Sequence, residues 1–340
     1  LLHLDPTHDV TSNFARPSRP MSVIGTDIHH AADLLRKGEL VAIPTETVYG
    51  LAANAFDPDA VLKIFQAKQR PAFDPLIVHV HDREQVPGIV SELPTGAIQL
   101  MDAFWPGPLT LVLPKTALVP DLVTSGLNTV GIRMPAHPVA LELLRTLPFP
   151  LAAPSANPFG YVSPTTAQHV ADQLGEHVPY ILDGGSCTVG VESTILGWEQ
   201  SGKSIEGHWV LYRPGGITVE ELEAVIGSIS TAKRTVTPVA PGMLDSHYAP
   251  RKPVYVGDVH ELLVAHQGQR VAVISLSAEY PAWRCERLSA GGDLNEAARN
   301  LFSVLRDLDR SDSEVILAEV FPEQGLGRAI NDRLRRAAAK

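Results

Sequence analysis

The chain is poor in cysteine, with two in 340 residues, Cys187 and Cys285. They stand far apart and in no metal-ligand spacing, so neither a disulfide framework nor a cysteine metal site is expected, and a reducing cytoplasm suits the composition. Aromatics are scarce at 6%. No run of about 18 apolar residues occurs, so no membrane span is expected. Positive charge is short as well: 28 Lys and Arg stand against 38 Asp and Glu, a formal net charge of −10. A protein whose main task is to coat nucleic acid needs a basic face, and this balance argues against one while leaving room for a local basic pocket. Residues 1–20 lack the apolar centre of a signal peptide. Residues 1–21 read as an irregular leader, with Met21 close to the natural start.

What is present points to a folded protein of two domains. Hydrophobic residues make up 44% of the chain, enough for a sizeable core, and 26 glycines and 28 prolines imply many defined turns. Residues 27–37 predict a helix, with Ile28, Ala31, Ala32 and Leu35 on one face and Gly38 as its stop. Residues 57–67 predict another, capped by Asp57, with Pro58 in the first turn and Val61, Leu62 and Phe65 facing inward. Strand patterns fall at 40–44, 76–80, 109–113, 130–134, 151–153, 180–182, 193–196 and 209–212, separated in part by helical patterns at 137–146 and 165–174. This is a mixed α/β domain with one large sheet.

Pro214-Gly215-Gly216 and a helix from Thr218 close that unit over residues 22–227. Residues 228–250 hold Pro238, Pro241 and Pro250 and few large apolar side chains, a linker signature. Residues 251–340 then alternate strand and helix: strands at 254–256, 271–276 and 315–320, helices at 258–265, 293–308 and 327–338. The pattern predicts a small Rossmann-like α/β domain. No glycine fingerprint follows its first strand, so dinucleotide binding there is not expected.

Residues 197–204 match the phosphate-loop pattern G-x4-G-K-S, from Gly197 to Gly202-Lys203-Ser204. That geometry needs a helix after the loop, whereas 205–212 read as a turn and a second strand; a hairpin tip is expected instead. The informative cluster lies elsewhere. Pro44-Thr45-Glu46-Thr47-Val48-Tyr49-Gly50-Leu51 is followed by Lys68-Gln69-Arg70 and by Asp74-Pro75-Leu76-Ile77-Val78-His79. Two cations beside a strand suit a triphosphate, although Lys and Arg also favour a helix C-terminus without any ligand. Thr129 to Arg133, Ala153-Pro154-Ser155-Ala156-Asn157 and Val191-Glu192-Ser193-Thr194 add short polar side chains at strand ends, as pockets for small polar ligands do. Arg133 in an apolar strand needs an anionic partner if buried, and a ligand carboxylate would serve.

Taken in order, these segments resemble the YrdC/Sua5 family. The linker Pro241-Gly242-Met243-Leu244-Asp245-Ser246-His247-Tyr248-Ala249-Pro250, followed by a small α/β domain, resembles its long Sua5 form, and the likeness extends over residues 22–340. The resemblance implies a YrdC-like twisted mixed-sheet domain. It implies L-threonylcarbamoyladenylate synthesis from L-threonine, bicarbonate or CO2, and ATP with Mg2+, releasing pyrophosphate. A separate threonylcarbamoyl transferase would then modify N6 of adenosine 37 in ANN-decoding tRNAs, with no tight tRNA binding by this chain. Matched position by position, it implies that Thr47, His79, Arg133, Ala153 and Ser193 contact threonine. Lys68, Arg70, Asp74, Thr129, Ser155, Asn157, Ser163 and Arg213 would line the ATP site, and His247 and Tyr248 would cover it. Asp74 departs from the family's usual Asn. Rival expectations are an RNA-binding module, which the net charge disfavours, and a hydrogenase-maturation carbamoyl module, whose acylphosphatase and zinc-finger segments do not occur here. A purely structural role would leave the polar strand-end clusters unexplained.

Overall fold

The computed structural model describes residues 22–200, 207–232 and 240–339. The leader 1–21, the second half of the phosphate-loop match at 201–204, and Pro238 of the linker lie outside the described residues.

Local chemistry sets the elements as expected. Helix Ile28–Arg36 begins at Asp27, whose carboxylate accepts from the His30 amide, and ends before Gly38 at φ 73°. Helix Pro58–Lys68 begins at Asp57, which accepts from the Asp59 and Ala60 amides. Its inward face is Ala60, Val61, Ile64 and Phe65, whereas Leu62 is 43% exposed. Position 62 lies about 100° around the helix from 61, off the stripe that the i, i+3, i+4 spacing keeps together.

Among the described residues a mixed sheet of eleven strands runs from edge to edge. Its order is Val23–Gly25, Tyr180–Leu182, Val41–Ile43, Gly50–Asn54, Leu151–Ala152, Ile77–His79, Thr129–Arg133, Leu109–Pro114, Thr194–Gln200, Gly207–Arg213, Ser230–Thr231. Strands Ile77–His79 and Thr129–Arg133 are parallel, with His79 opposite Arg133, so both side chains stand at carboxyl ends of neighbouring strands. The phosphate-loop match flanks a hairpin: Thr194–Gln200 and Gly207–Arg213 are antiparallel with Gln200 opposite Gly207. A strand therefore stands where a phosphate loop needs a helix N-terminus. Ser230–Thr231 adds a last strand inside the stretch that reads as linker.

The second sheet is parallel throughout, in the order Val254–Val256, Val315–Ala318, Val271–Ser275, Arg284–Arg287. Helix Leu294–Arg310 buries Ala297, Ala298, Leu301, Leu305 and Leu308 together with Phe302 and Arg306. This core does not stop at the domain boundary. Val48, Val162, Val191 and Tyr248 belong to the same buried cluster as Ala298, Phe302 and Leu305. Around its rim Arg310 pairs with Asp172 at 2.6 Å and Arg328 with Glu220 at 2.6 Å. Gly190, at φ 80°, lies directly on the backbone of Arg299, and a Cβ there would collide with it. Gly190→Val should therefore lower stability by about 1–3 kcal/mol through overpacking and left-handed strain. Thermal unfolding of the full chain measures the effect; an unchanged midpoint would show that the two domains do not meet at this point.

Candidate active site

A cleft opens at the carboxyl ends of strands Ile77–His79 and Thr129–Arg133. Strand carboxyl ends are where open α/β sheets bind ligands. The cleft gathers Thr47, Arg70, His79, Arg133, Ala153, Ser155, Ser193, Arg213, His247 and Tyr248.

One half is built around Arg133, which is buried at the end of its strand. Its Nη1 donates to Thr47 Oγ1 at 3.0 Å, its Nη2 to Glu46 Oε1 at 2.5 Å, and its Nε to the Gly107 carbonyl at 3.2 Å. A guanidinium carries five N–H donors, so two remain for a ligand. The hydroxyls of Thr45 and Thr47 lie 2.9 Å apart, and the Thr45 hydroxyl donates to the Val48 carbonyl, which holds this tight turn in place. On the far wall the Ser193 hydroxyl meets Thr110 Oγ1 at 2.8 Å and accepts from Arg213 Nη2 at 3.2 Å.

Burial, with the positive charge of Arg133 nearby, pushes the His79 imidazole from 6.5 down to about 3. It is neutral at physiological pH and can donate or accept a hydrogen bond without adding charge. In the unfolded chain the ring protonates first as pH falls. The neutral fold therefore keeps its full stability above about pH 6.5 and loses it progressively as pH falls from there toward 3, with a proton taken up on unfolding. An NMR titration of the folded protein should accordingly show no imidazole transition for His79 between about pH 5 and pH 8. A midpoint near 6.5 would mean that the ring is solvated.

The other half is cationic. Helix Pro58–Lys68 ends at Gln69, in the left-handed conformation at φ 52°, and this turn sends both Lys68 and Arg70 inward. Lys68 Nζ donates to the carbonyls of Ser155 and Asn157, each at 2.5 Å, and burial holds its amine well below the ordinary range. Arg70 donates from Nε to the Asp74 carbonyl at 3.0 Å and from Nη2 to the Pro75 carbonyl at 2.8 Å. Its Nη2 also lies 2.9 Å from Asp74 Oδ2. Two of the five Arg70 hydrogens go to carbonyls, this last contact is ionic, and neither oxygen of the Asp74 carboxylate has a hydrogen-bond partner among the described residues. Burial outweighs the pull of Arg70 and Lys68 and raises the Asp74 carboxyl above its usual range.

Several residues expected at the site stand just behind the cleft wall. Lys68 and Asp74 do so through the contacts above. Asn157 spends its amide on the carbonyls of Pro158 and Tyr161, leaving Oδ1 buried without a hydrogen-bond partner among the described residues. The Ser163 hydroxyl donates to Glu192 Oε1 at 2.5 Å. Thr129 is not brought in. It opens the strand that Arg133 closes, and four residues of strand put it about 13 Å away.

Residues 240–250 contain no helix or strand, as their prolines and glycine predict. They cross the cleft and bury both His247 and Tyr248. Their rings pack edge to face at 4.2 Å, and Tyr248 also lies 5.6 Å from the Phe302 ring. Tyr248 thus both lines the cleft and packs on the second domain. It does so at φ 60°, a conformation costing a non-glycine residue about 1–2 kcal/mol. Among the described residues the Tyr248 hydroxyl and His247 Nδ1 are buried without hydrogen-bond partners, and burial beside Arg70, Lys68 and Arg213 drives the His247 imidazole well below its ordinary value.

Three charged residues escaped the sequence reading of the site: Glu46, Glu192 and Arg333. Glu46 pairs with Arg133, and Glu192 with Arg333 at 2.7 Å. An acid inside a buried apolar segment needs a cation, and that was the available signal.

The chain is similar to known proteins over most of its length. The Sua5–YciO–YrdC family model, described as telomere recombination, matches residues 33–215. The model for the threonylcarbamoyl-AMP synthase C-terminal domain matches residues 217–339. Over 329 residues the chain is 46% identical to a threonylcarbamoyl-AMP synthase of Pyrococcus abyssi, covering 92% of this chain and 94% of that one. It is 43% identical over 333 residues to one of Bacillus subtilis, covering 94% of each. The solved structure of P. abyssi Sua5 complexed with L-threonine superposes with a TM-score of 0.86 at 45% identity, covering 94% of this chain and 97% of that one.

Proposed function

We propose a specific reaction for this chain, which belongs to the Sua5–YciO–YrdC family in its two-domain Sua5 form: synthesis of L-threonylcarbamoyl-AMP from L-threonine, bicarbonate and ATP. The observation that carries the reading is the division of one cleft into two halves. Arg133, Thr47, neutral His79 and Ser193 form a small site suited to an amino-acid carboxylate. Arg70 and Arg213 form a cationic site suited to phosphates, with Lys68 just behind its wall.

In this reaction the threonine amine adds to CO2, losing a proton, and gives a carbamate. A carbamate oxygen attacks the α-phosphorus of ATP, and pyrophosphate leaves with the electrons of the broken P–O bond. No step needs a protein nucleophile. The protein supplies position and charge neutralisation, the usual main terms in displacement at phosphorus. Arg133 holds the threonine carboxylate and so fixes the amine. Lys68 and Arg70 approach the departing phosphates, and Ser155, Asn157 and Ser163 shape the nucleotide side. The product is a reactive mixed anhydride, and His247 and Tyr248 close over it to keep water out.

Mg2+ would enter with ATP, held mainly by the phosphates. No group of three or more His, Cys, Asp or Glu side chains forms a metal site among the described residues. The buried carboxylates Glu46, Asp74 and Glu192 each face an arginine. Asp74 accordingly serves Arg70 in this reading. The product would pass to a separate transferase for adenosine 37 of ANN-decoding tRNA. Among the described residues no helix is long and apolar enough to cross a membrane, and a cytoplasmic place fits that chemistry.

Pyrophosphate release tests the reading. It should require threonine, bicarbonate and ATP together. Equal release with serine in place of threonine, or without bicarbonate, would remove the proposed specificity.

A further inference from the structure

Arg306 and Arg333 are arginines of the second domain that lie fully buried against the first. Arg306 stacks on Tyr161 and donates to the Val162 and Ser163 carbonyls, behind the cleft. Arg333 reaches the cleft wall itself. Its Nε donates to Glu192 Oε2 at 2.7 Å, and its Cζ sits 5.0 Å over the Tyr248 ring. Both Glu192 and Tyr248 line the cleft. The same guanidinium donates from Nη1 to the Pro214 carbonyl at 3.0 Å, next in sequence to Arg213, and to Asp332 at 2.6 Å. Its Nη2 is buried with no hydrogen-bond partner among the described residues.

One planar group therefore joins three separate pieces of the wall: the strand-end segment of Glu192 and Ser193, the segment after Arg213, and the linker at Tyr248. The helix that carries it, Gly327–Ala338, grips the linker a second time one turn on. Arg336 donates to the Leu244 carbonyl, and the Arg336 carbonyl accepts from the His247 amide at 3.2 Å. Asp332 fixes both arginines, at 2.6 and 2.9 Å. Lysine could neutralise Glu192 but could not also stack on Tyr248 and hold the Pro214 carbonyl, because these contacts need a flat, multi-donor fork.

We propose that Arg333 is a positioning residue of this reaction: through it the second domain fixes the wall formed by Glu192 and Tyr248 and thereby sets the cleft's hold on ATP. Docking of the second domain and closure of the cleft are then a single linked equilibrium, so each strengthens the other. The inference rests on the reaction assigned above and adds to it a residue outside the first domain.

The test uses the full chain as wild type, Arg333→Lys, Arg333→Gln and Arg310→Ala, the last breaking a domain contact remote from the cleft. Pyrophosphate release is measured against ATP and against threonine, with thermal unfolding followed in parallel. Arg333→Lys and Arg333→Gln should raise the ATP KM about tenfold, the usual scale for losing a residue that orients a site, and Arg310→Ala, which removes only an exposed and weak ion pair of the docked domains, should raise it less than about threefold. A lower unfolding midpoint with an unaltered ATP KM would show that Arg333 is only structural and would overturn the proposal. Hydrogen exchange on the wild type decides the matter even where a variant fails to fold. Adding ATP and threonine should slow exchange at 240–250 and at 327–338 together. Slowing confined to the first domain, or none at all, would contradict the coupling. Wild type that binds ATP with this paired slowing yet releases no pyrophosphate would sink the assigned reaction and leave the coupling standing.

Discussion

Arg133→Ala should raise the threonine requirement for pyrophosphate release by about 10- to 150-fold while the ATP requirement changes little. The figure is the kinetic equivalent of losing a hydrogen bond to a charged group, ~1.5–3 kcal/mol. The selectivity follows from geometry. Arg133 sits with Thr47 and His79 in one half of the cleft, and the cations suited to phosphates stand in the other. A second effect accompanies the first. Arg133 is the ion-pair partner of Glu46, whose Oε2 already lacks a hydrogen bond among the described residues. Removing the cation leaves a buried carboxylate alone, which costs stability on the order of 3–5 kcal/mol. Adding Glu46→Gln should restore much of that stability without restoring the threonine requirement. A fall in ATP affinity alone would place Arg133 in the wrong half of the cleft.

Arg70→Met should be as severe for stability, again about 3–5 kcal/mol, because it strands Asp74. The Asp74 carboxylate is fully buried, ion-paired at 2.9 Å and without a hydrogen-bond partner among the described residues. Combining Arg70→Met with Asp74→Asn should recover most of the loss, since the amide carries no charge that needs a counter-ion, and chemical denaturation of the four proteins gives the coupling directly. The ATP requirement of the double variant should stay high, because the phosphate-facing cation is still missing. If Arg70→Met and the double variant are equally unstable, the Arg70–Asp74 contact contributes nothing, and the departure at Asp74 is neutral rather than compensated.

Much of this architecture was legible because the signals were local. The Asp57-Pro58 start and the Leu301, Leu305, Leu308 stripe announce helices through caps and period. Strands such as Leu109–Pro114 and Thr129–Arg133 announce themselves through β-branched and apolar runs. Strand Gly50–Asn54 carries no such signal: Gly-Leu-Ala-Ala-Asn has no β-branched residue, and it is a strand only because Val41–Ile43 and Leu151–Ala152 pair with it on either side. Arg284–Arg287 is charged and lies at an edge, where no burial imposes a pattern. Ser230–Thr231 is too short to register and exists through its pairing with Val210 and Leu211.

The site divides the same way. The short polar residues pointed to the cleft because they stand beside strand ends, Ser155 after Leu151–Ala152 and Ser193 before Thr194–Gln200. The carboxylates that hold the arginines did not, since Glu46 and Glu192 meet partners 87 and 141 residues away. Thr129 was drawn in by its place in a motif, although the strand's own length carries it away from Arg133. Leu62 was drawn in by its apolar side chain, although the helix turns it outward.

The central claim is that one cleft joins threonine, bicarbonate and ATP. The most direct measurement supplies the purified full chain with L-threonine, isotopically labelled bicarbonate and ATP, quenches rapidly, and identifies the nucleotide product by mass spectrometry. The account predicts threonylcarbamoyl-AMP that carries the label in its carbamoyl carbon, formed in step with pyrophosphate. An adenylate of threonine without the added carbon, or AMP formed equally well without bicarbonate, would contradict it.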